Sequence, residues 1–342
     1  MILHYVLCQS TNESEFISGP LFQTVKKNFT GRVTPYFLTE SVKTKMPLKQ
    51  RCTLIWKAVS KSKPGDLIIL WGPGSILMYI LTRFLFRKRF VMFVNLIFNP
   101  ERMKHSKKSK LLYLMYKDAF QSKYYYANVN GEGLEQMYAQ LFHCKTDRFP
   151  IVYDSLELSK DLQIISQQPK SEVYVFAGGR AERDVAAFTE IVKQMPDVQF
   201  KCVFNKDMIV EEMRTLPNLK IYSDVSFDTF YEILGRASYC CIPLKSAAPC
   251  GLVVMQRAAL MGIPIVSTET YSMRTIIPDD NYGFLLPRND IEGMVKKLRL
   301  LMENPQISMS IKNAIHNRMN LFTHQKVGEQ IAEAVKYIVG KE

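Results

Sequence analysis

Four things are missing from these 342 residues, and each closes off a class of function. There is no Asp-x-Asp pair to hold a divalent metal against a diphosphate, and no Gly-Lys-Ser or Gly-Lys-Thr phosphate loop. The seven cysteines are scattered, with Cys240 beside Cys241, and show neither a Cys-x-x-Cys pair nor a His spacing for zinc, so a reducing, cytoplasmic setting is expected. No apolar run reaches the roughly 20 residues that span a bilayer. The longest, Leu67–Leu81, is interrupted by Gly72-Pro73-Gly74 and followed by Arg83. Met1–Leu7 is apolar but short, with no basic stretch before it and no small-residue cleavage site after it, and is expected to be a first strand, not a secretory signal.

Acidic charge is also scarce, but only in one half. Residues 1–150 hold 9 Asp+Glu against 23 Lys+Arg, whereas 151–342 hold 23 against 22, so the net charge of +13 resides on the first half. Such asymmetry predicts an anionic partner there: phospholipid headgroups, a phosphorylated substrate or nucleic acid. A basic solvated face without a partner is the alternative reading.

What is present is an ordinary globular composition, 47% hydrophobic and 23% charged, over a length that predicts two domains. Strand-like runs alternate with helical ones in both halves: Ile2–Leu7, Val33–Leu38, Leu67–Trp71 and Phe90–Val94, then Val173–Ala177, Phe200–Phe204, Leu219–Tyr222 and Tyr239–Pro243. Helices are expected over 185–195, 208–216, 227–237 and 324–339. This is an α/β pattern with parallel sheets, whose ligands sit beyond the carboxyl ends of the strands. The loosened stretch Asp147–Lys160 is expected to be the hinge, dividing domains 1–150 and 151–323 from a final helix in 324–342.

Gly72-Pro73-Gly74-Ser75 follows a strand and opens a helix, yet Leu77 stands where a dinucleotide fingerprint needs its third glycine, and Asn95–Phe98 supply no acidic residue about 20 positions on. A nicotinamide cofactor is therefore not expected, nor any other. Two basic clusters stand out, Arg83-Arg87-Lys88-Arg89 and Lys104-Lys107-Lys108-Lys110, the second joined to the apolar run LLYLMYKDAF. That composition suits a helix lying on an anionic membrane surface, although most of Leu111, Leu114, Met115 and Ala119 are expected to be core.

Two runs carry candidate chemistry. Ser246–Pro264, SAAPCGLVVMQRAALMGIP, reads as a turn with Pro249 and Gly251, then a helix whose Val254, Ala258 and Met261 share a face, stopped at Gly262 ahead of a strand. A glycine-containing loop opening a helix presents backbone N–H groups to an anion such as phosphate. Gly178-Gly179-Arg180-Ala181-Glu182-Arg183-Asp184 follows a strand and offers two arginines, with Glu182 and Asp184 either orienting them or forming a surface salt-bridge cluster.

The first run resembles the donor-site signature of GT-B glycosyltransferases of the family 4 (group 1) type, through Gly251-Leu252-Val253 and Ala258-Ala259-Leu260-Met261-Gly262-Ile263-Pro264-Ile265-Val266. Pro217-Asn218-Leu219-Lys220-Ile221 and Asn281-Tyr282-Gly283-Phe284-Leu285-Leu286 look like landmarks of the same family. The resemblance covers Ser171–Arg299 well and the first half only in the order of its elements. It implies two Rossmann-like domains facing across an interdomain cleft, the acceptor on the basic first domain, and a last helix that crosses back to that domain. It implies transfer of a sugar, with retention, from a UDP- or GDP-linked donor to a lipid-linked glycan in capsular or exopolysaccharide assembly, at the inner face of the cell membrane.

By the same resemblance Arg180 and Arg183 grip the donor diphosphate, and Gly19, Gly179, Pro249, Cys250, Gly251, Leu252, Val253 and Gln256 complete the donor site. Both family glutamates are absent, replaced by Ala248 and Gln256, and the family's histidine has no counterpart: Asn95 is the nearest candidate, Trp71 the next, with His4 and His105 poorly placed. With arginines and amides in place of Asp-x-Asp, no metal is expected. The alternatives are a non-catalytic GT-B subunit that binds a sugar nucleotide or glycan for a partner enzyme, a sugar-nucleotide epimerase on the same fold, and a nucleic-acid binder, for which the chain shows no recognised module.

Overall fold

The computed structural model describes residues 1–8, 13–37, 46–104, 106–157, 164–165, 172–246 and 251–340. Their contacts divide the chain into two compact units, Met1–Ser155 with His324–Glu342, and Leu156–Thr323.

The first unit is built on strands β1 (Ile2–Leu7), β2 (Arg32–Tyr36), β3 (Leu67–Trp71), β4 (Phe90–Phe93) and β5 (Tyr125–Ala127). They form one sheet of order β2-β1-β3-β4-β5, parallel throughout, with Leu3 opposite Leu67 and Ile68 opposite Val91. Its helices are α1 (Glu13–Ser18), α2 (Pro20–Asn28), α3 (Leu48–Lys61), α4 (Ser75–Ile80), α5 (Lys107–Gln121) and α6 (Leu134–Phe142). Parallel strands covered on both faces read as near-continuous apolar runs, which is why LIILW and FVMF are strands. One face packs Val6, Ile68, Val91 and Phe93 against α3 and α5. The other packs Leu3, Tyr5, Ile69 and Met92 against α2.

The second unit carries β6 (Val175–Gly178), β7 (Phe200–Phe204), β8 (Leu219–Ser223), β9 (Tyr239–Ile242), β10 (Ile265–Thr268) and β11 (Phe284–Leu286) in the order β11-β10-β9-β6-β7-β8, again all parallel. Helices α7 (Val185–Gln194), α8 (Glu211–Arg214), α9 (Phe227–Gly235), α10 (Leu252–Leu260), α11 (Tyr271–Ile276), α12 (Ile291–Glu303) and α13 (Pro305–Arg318) alternate with them. Strand order reverses between β6 and β9, and such a switch point is where an open α/β sheet leaves a crevice.

The expected helix over 208–216 is corrected. A 3₁₀ turn, Lys206–Met208, and the four-residue α8 replace it, because Ile209 and Val210 adopt extended backbone between them. The last helix, α14 (His324–Val339), belongs to the first unit, where Val327, Ile331, Val335 and Ile338 pack into the β1–β3 face beside α2. Gly328 permits the approach: a Cβ there would stand 2.9 Å from the Leu21 carbonyl oxygen and 2.8 Å from Thr24 Cβ.

His4 of β1 is buried, with Nδ1 2.9 Å from the Tyr36 hydroxyl and Nε2 3.3 Å from Asp66 Oδ2. Burial lowers its pKa below the ordinary 6.5, against the pull of Asp66. It therefore serves as a neutral core histidine that ties β1 to β2 and to the start of β3.

Two outcomes are expected. Gly328→Ala should lower the melting temperature, at a cost of about 1–3 kcal/mol from overpacking, although alanine is the better helix former by about 1 kcal/mol. A group whose folded pKa is depressed contributes stability that is present above its unfolded value and lost as pH falls. Wild-type stability should therefore drop as pH falls below 6.5 and through the lowered value, and His4→Gln should flatten that limb in urea titrations.

Candidate functional site

At the switch point of the second sheet, β6 ends at Gly178 and the chain turns through Gly179, whose φ of +119° is open to glycine and strained for other residues. The loop that follows folds back on its own arginine. Arg183 is only 4% exposed; its Nε donates to the Gly178 carbonyl at 2.6 Å and its Nη1 to the Ala181 carbonyl at 3.0 Å. A Cβ on Gly179 would overlap the Arg183 guanidinium, and one on Gly251 would lie 3.1 Å from Nη1. The guanidinium thus fills the space between the two glycines that open the site.

Main-chain bonds stitch the same loop to the segment after β9. Arg183 forms an antiparallel bridge with Leu244, Asp184 N–H donates to the Pro243 carbonyl at 3.0 Å, and Lys245 N–H donates to the Glu182 carbonyl at 2.9 Å. The Ser246 hydroxyl donates to the Glu182 carboxylate at 3.0 Å. Asp184 caps α7, accepting from Ala187 N–H at 3.0 Å. These two carboxylates are therefore placed as a loop clamp and a helix cap.

Helix α10 is N-capped by Gly251, with φ +83°, and the amides of its first turn have no partner within the helix. Beside it lies a cavity of about 230 Å³ lined by Gly179, Arg180, Asn205, Asp224, Phe227 and Val253, among others. These residues follow β6, β7 and β8 and open α9 and α10, so the cavity lies at the carboxyl edge of the sheet. Arg180 is exposed and sits 5.8 Å over the Phe227 ring. Phe227 is 68% exposed, stacked on Tyr231 at 6.4 Å, and Arg257 lies 4.0 Å over Tyr231 from the other element. An exposed aromatic face with an exposed cation and the first turn of a helix beside it can take a planar heterocycle and an anion together.

The structure thus gathers Gly179, Arg180, Arg183, Gly251, Leu252 and Val253 around one edge. Gln256 is on α10 but 2% exposed, within the packing. Ala248, Pro249 and Cys250 lie outside the described residues, as does His105. Gly19 belongs to the first unit, where it precedes Pro20 as the N-cap of α2 with an ordinary φ of −64°.

Asn95 stands after β4 with φ +54°, its carboxamide engaged at both ends: Nδ2 donates to Asp154 and Oδ1 accepts from Asn128 Nδ2 at 3.0 Å. Asn130 Nδ2 donates to the other Asp154 oxygen at 2.8 Å. Burial raises the Asp154 pKa, with the two amides opposing that rise. This carboxylate at the edge of the first sheet is what the sequence reading missed, since it sits in a stretch assigned to the hinge. Among the described residues, no group of three or more His, Cys, Asp or Glu is disposed to hold a metal ion.

Residues 179–304 match the family described as glycosyl transferases group 1. This match begins at the glycine that opens the cavity. Over that stretch the chain is similar to the family, and its fold is of the GT-B class. Over 159 residues it is 23% identical to a phosphatidyl-myo-inositol mannosyltransferase of Mycolicibacterium smegmatis, a stretch that covers 46% of this chain and 41% of that protein. The match therefore spans less than half the length of that relative. The fold of the group 1 domain and its companion unit is similar to sucrose-phosphate synthase of Thermosynechococcus elongatus, with a TM-score of 0.71 at 13% identity and 100% of both chains covered. It is also similar to HepE of Anabaena, solved in complex with UDP-glucose, with a TM-score of 0.67 at 14% identity over 98% of this chain and 99% of that one.

In the group 1 domain the two arginines should separate cleanly. Arg183→Lys loses the forked bonds to Gly178 and Ala181 and should destabilise the second unit by about 1.5–3 kcal/mol, whereas Arg180→Ala should change stability by less than about 0.5 kcal/mol. Thermal unfolding of the two variants checks this.

Proposed function

We propose that this protein is a glycosyltransferase that takes its sugar from a nucleotide-sugar donor, UDP- or GDP-linked, bound on the second unit. The carrying observation is that Gly179, Arg180, the first turn of α10 and the exposed Phe227 ring line one cavity. On this reading the base lies against Phe227 and the diphosphate meets Arg180 and the amides of Leu252 and Val253. Arg183 does not grip phosphate by itself but holds the loop that does. The HepE complex with UDP-glucose lends support from a protein of the same fold.

In the reaction the bond from the anomeric carbon to the β-phosphate oxygen breaks, its electron pair going to the leaving diphosphate. The acceptor hydroxyl oxygen bonds to that carbon, and its proton goes to the departing phosphate. Groups that favour the growing negative charge accelerate this step, and Arg180 together with the α10 amides supplies them without a metal. The family resemblance supports retention of configuration.

The finer reading is that the acceptor is a lipid-linked glycan in surface polysaccharide assembly, and that the protein works peripherally at the cytoplasmic face of an anionic membrane. Its support is the concentration of basic charge in residues 1–150. A non-catalytic subunit that binds a sugar nucleotide or glycan for a partner enzyme is the second reading, favoured by Ala248 and Gln256 in place of the family's glutamates.

Calorimetric titration with UDP, GDP, ADP and CMP tests the proposal. One nucleoside diphosphate should saturate, and Arg180→Ala should weaken it by about 1.5–3 kcal/mol. Chelator should leave that binding, and sugar transfer, unchanged. Saturation without turnover on any acceptor selects the non-catalytic reading, and no binding at all overturns the transferase and leaves only a subunit that binds glycan.

A further inference from the structure

The helical layer of α3, α4 and α5 on the first sheet presents large apolar side chains to solvent. Phe84 is 64% exposed, Leu85 65%, Leu114 61%, Leu111 55%, Trp56 51% and Ile80 44%. The expectation that most of Leu111, Leu114, Met115 and Ala119 would be core holds for Met115 and Ala119 and fails for the two leucines.

These side chains are neighbours. After Ile80 the helix widens into a π-helical turn, Leu81–Leu85, closed by Phe86 N–H donating to the Leu81 carbonyl at 2.7 Å. Its inner side is anchored by the Thr82 hydroxyl, which donates to the Met78 carbonyl at 2.6 Å and lies 3.0 Å from the Tyr125 hydroxyl. The outer side carries Phe84 and Leu85. Phe84 meets Tyr79 edge-on at 6.1 Å, and Tyr79 donates to Asp118 of α5 at 2.6 Å. Arg83 pairs with the same carboxylate at 3.0 Å. Leu114 and Leu111 stand one and two turns before Asp118 on α5, and Trp56 of α3 meets Phe86 edge-on at 5.7 Å.

The charge around this patch has one sign. Residues 48–61, 75–89 and 107–121 hold twelve Lys and Arg and one acid, Asp118, which Arg83 already neutralises. A second copy docking face to face would bring like charges together, which opposes self-association through this surface. A nucleic acid would use the cations but has nothing for Leu85, Ile80, Leu111 and Leu114.

We propose that this face docks on a bilayer of anionic phospholipid, with Phe84 and Leu85 entering the acyl boundary while Arg87, Lys88, Lys107, Lys108 and Lys110 meet the headgroups. The inference rests on the membrane part of the proposed function and is independent of the donor site. The π turn is the device that exposes it, since one extra residue in the turn pushes the Phe84-Leu85 pair outward from a helix whose inner face stays packed.

Cosedimentation with phosphatidylcholine vesicles containing about 30% phosphatidylglycerol tests it, because the cations require an anionic surface. The wild type should partition onto these vesicles and not onto pure phosphatidylcholine. Phe84→Ser with Leu85→Ser should weaken partition at least tenfold while leaving the titration with nucleoside diphosphates as in wild type. Phe84→Trp should bind as wild type, with its emission quenched by lipids brominated on their acyl chains. Equal partition of the serine variant, binding without quenching, no preference for anionic vesicles, or a dimer that the serine changes dissolve would each overturn the proposal. Loss of nucleotide binding by the wild type, with vesicle partition intact, would remove the donor reading and leave this one standing.

Discussion

The second unit depends on one buried guanidinium. Arg183 reaches back into the turn that its own loop makes, satisfies the carbonyls of Gly178 and Ala181, and occupies the volume that side chains at 179 and 251 would otherwise take. An always-charged group at 4% exposure is costly unless its donors are engaged, and the cost of leaving it unpaired makes the loop conformation stiff. Main-chain bonds from the same loop to Pro243 and Lys245 and its bridge to Leu244 join the end of β6 to the segment after β9, and the guanidinium lies against Gly251 ahead of α10. Preorganised amides beside an exposed Arg180 are what an anionic leaving group requires.

Placement of β1 to β4, of β6 to β10 and of α10 could be read from residues alone, since buried parallel strands leave apolar runs and a glycine before an amphipathic stretch marks a helix start, whereas β5 and β11 have three residues each and leave too short a run. The α14 pattern of Val327, Ile331, Val335 and Ile338 was equally plain. Arg183 was legible as a residue of the site but not as its strut, because a charge in a loop reads as surface until the carbonyls it meets are in hand. Phe227 and Asp224, which line the cavity, left no signal, as they come from a different strand–helix junction and only the sheet order brings them to Gly179. Asp154 was hidden for the same reason: its partners Asn95 and Asn130 follow two other segments of the first unit.

Charge separates the two units as sharply as chemistry does. The first gathers cations and exposed aliphatic and aromatic groups on one helical layer, and keeps a buried neutral His4 and an amide-bound Asp154 inside. The second has nearly balanced charge, with its exposed ion pairs, such as Lys201 with Glu172 and Lys297 with Asp280, distributed over the surface. Surface pairs of that kind contribute little to stability, so the balance matters mainly for what each unit attracts.

The measurement that tests the central claim most directly is amide hydrogen exchange with and without a saturating nucleoside diphosphate. A donor site organised by Arg183 predicts added protection in peptides covering 178–184, 224–231 and 251–256, and little change in the first unit. Protection confined to other segments, or none with any diphosphate, would contradict it.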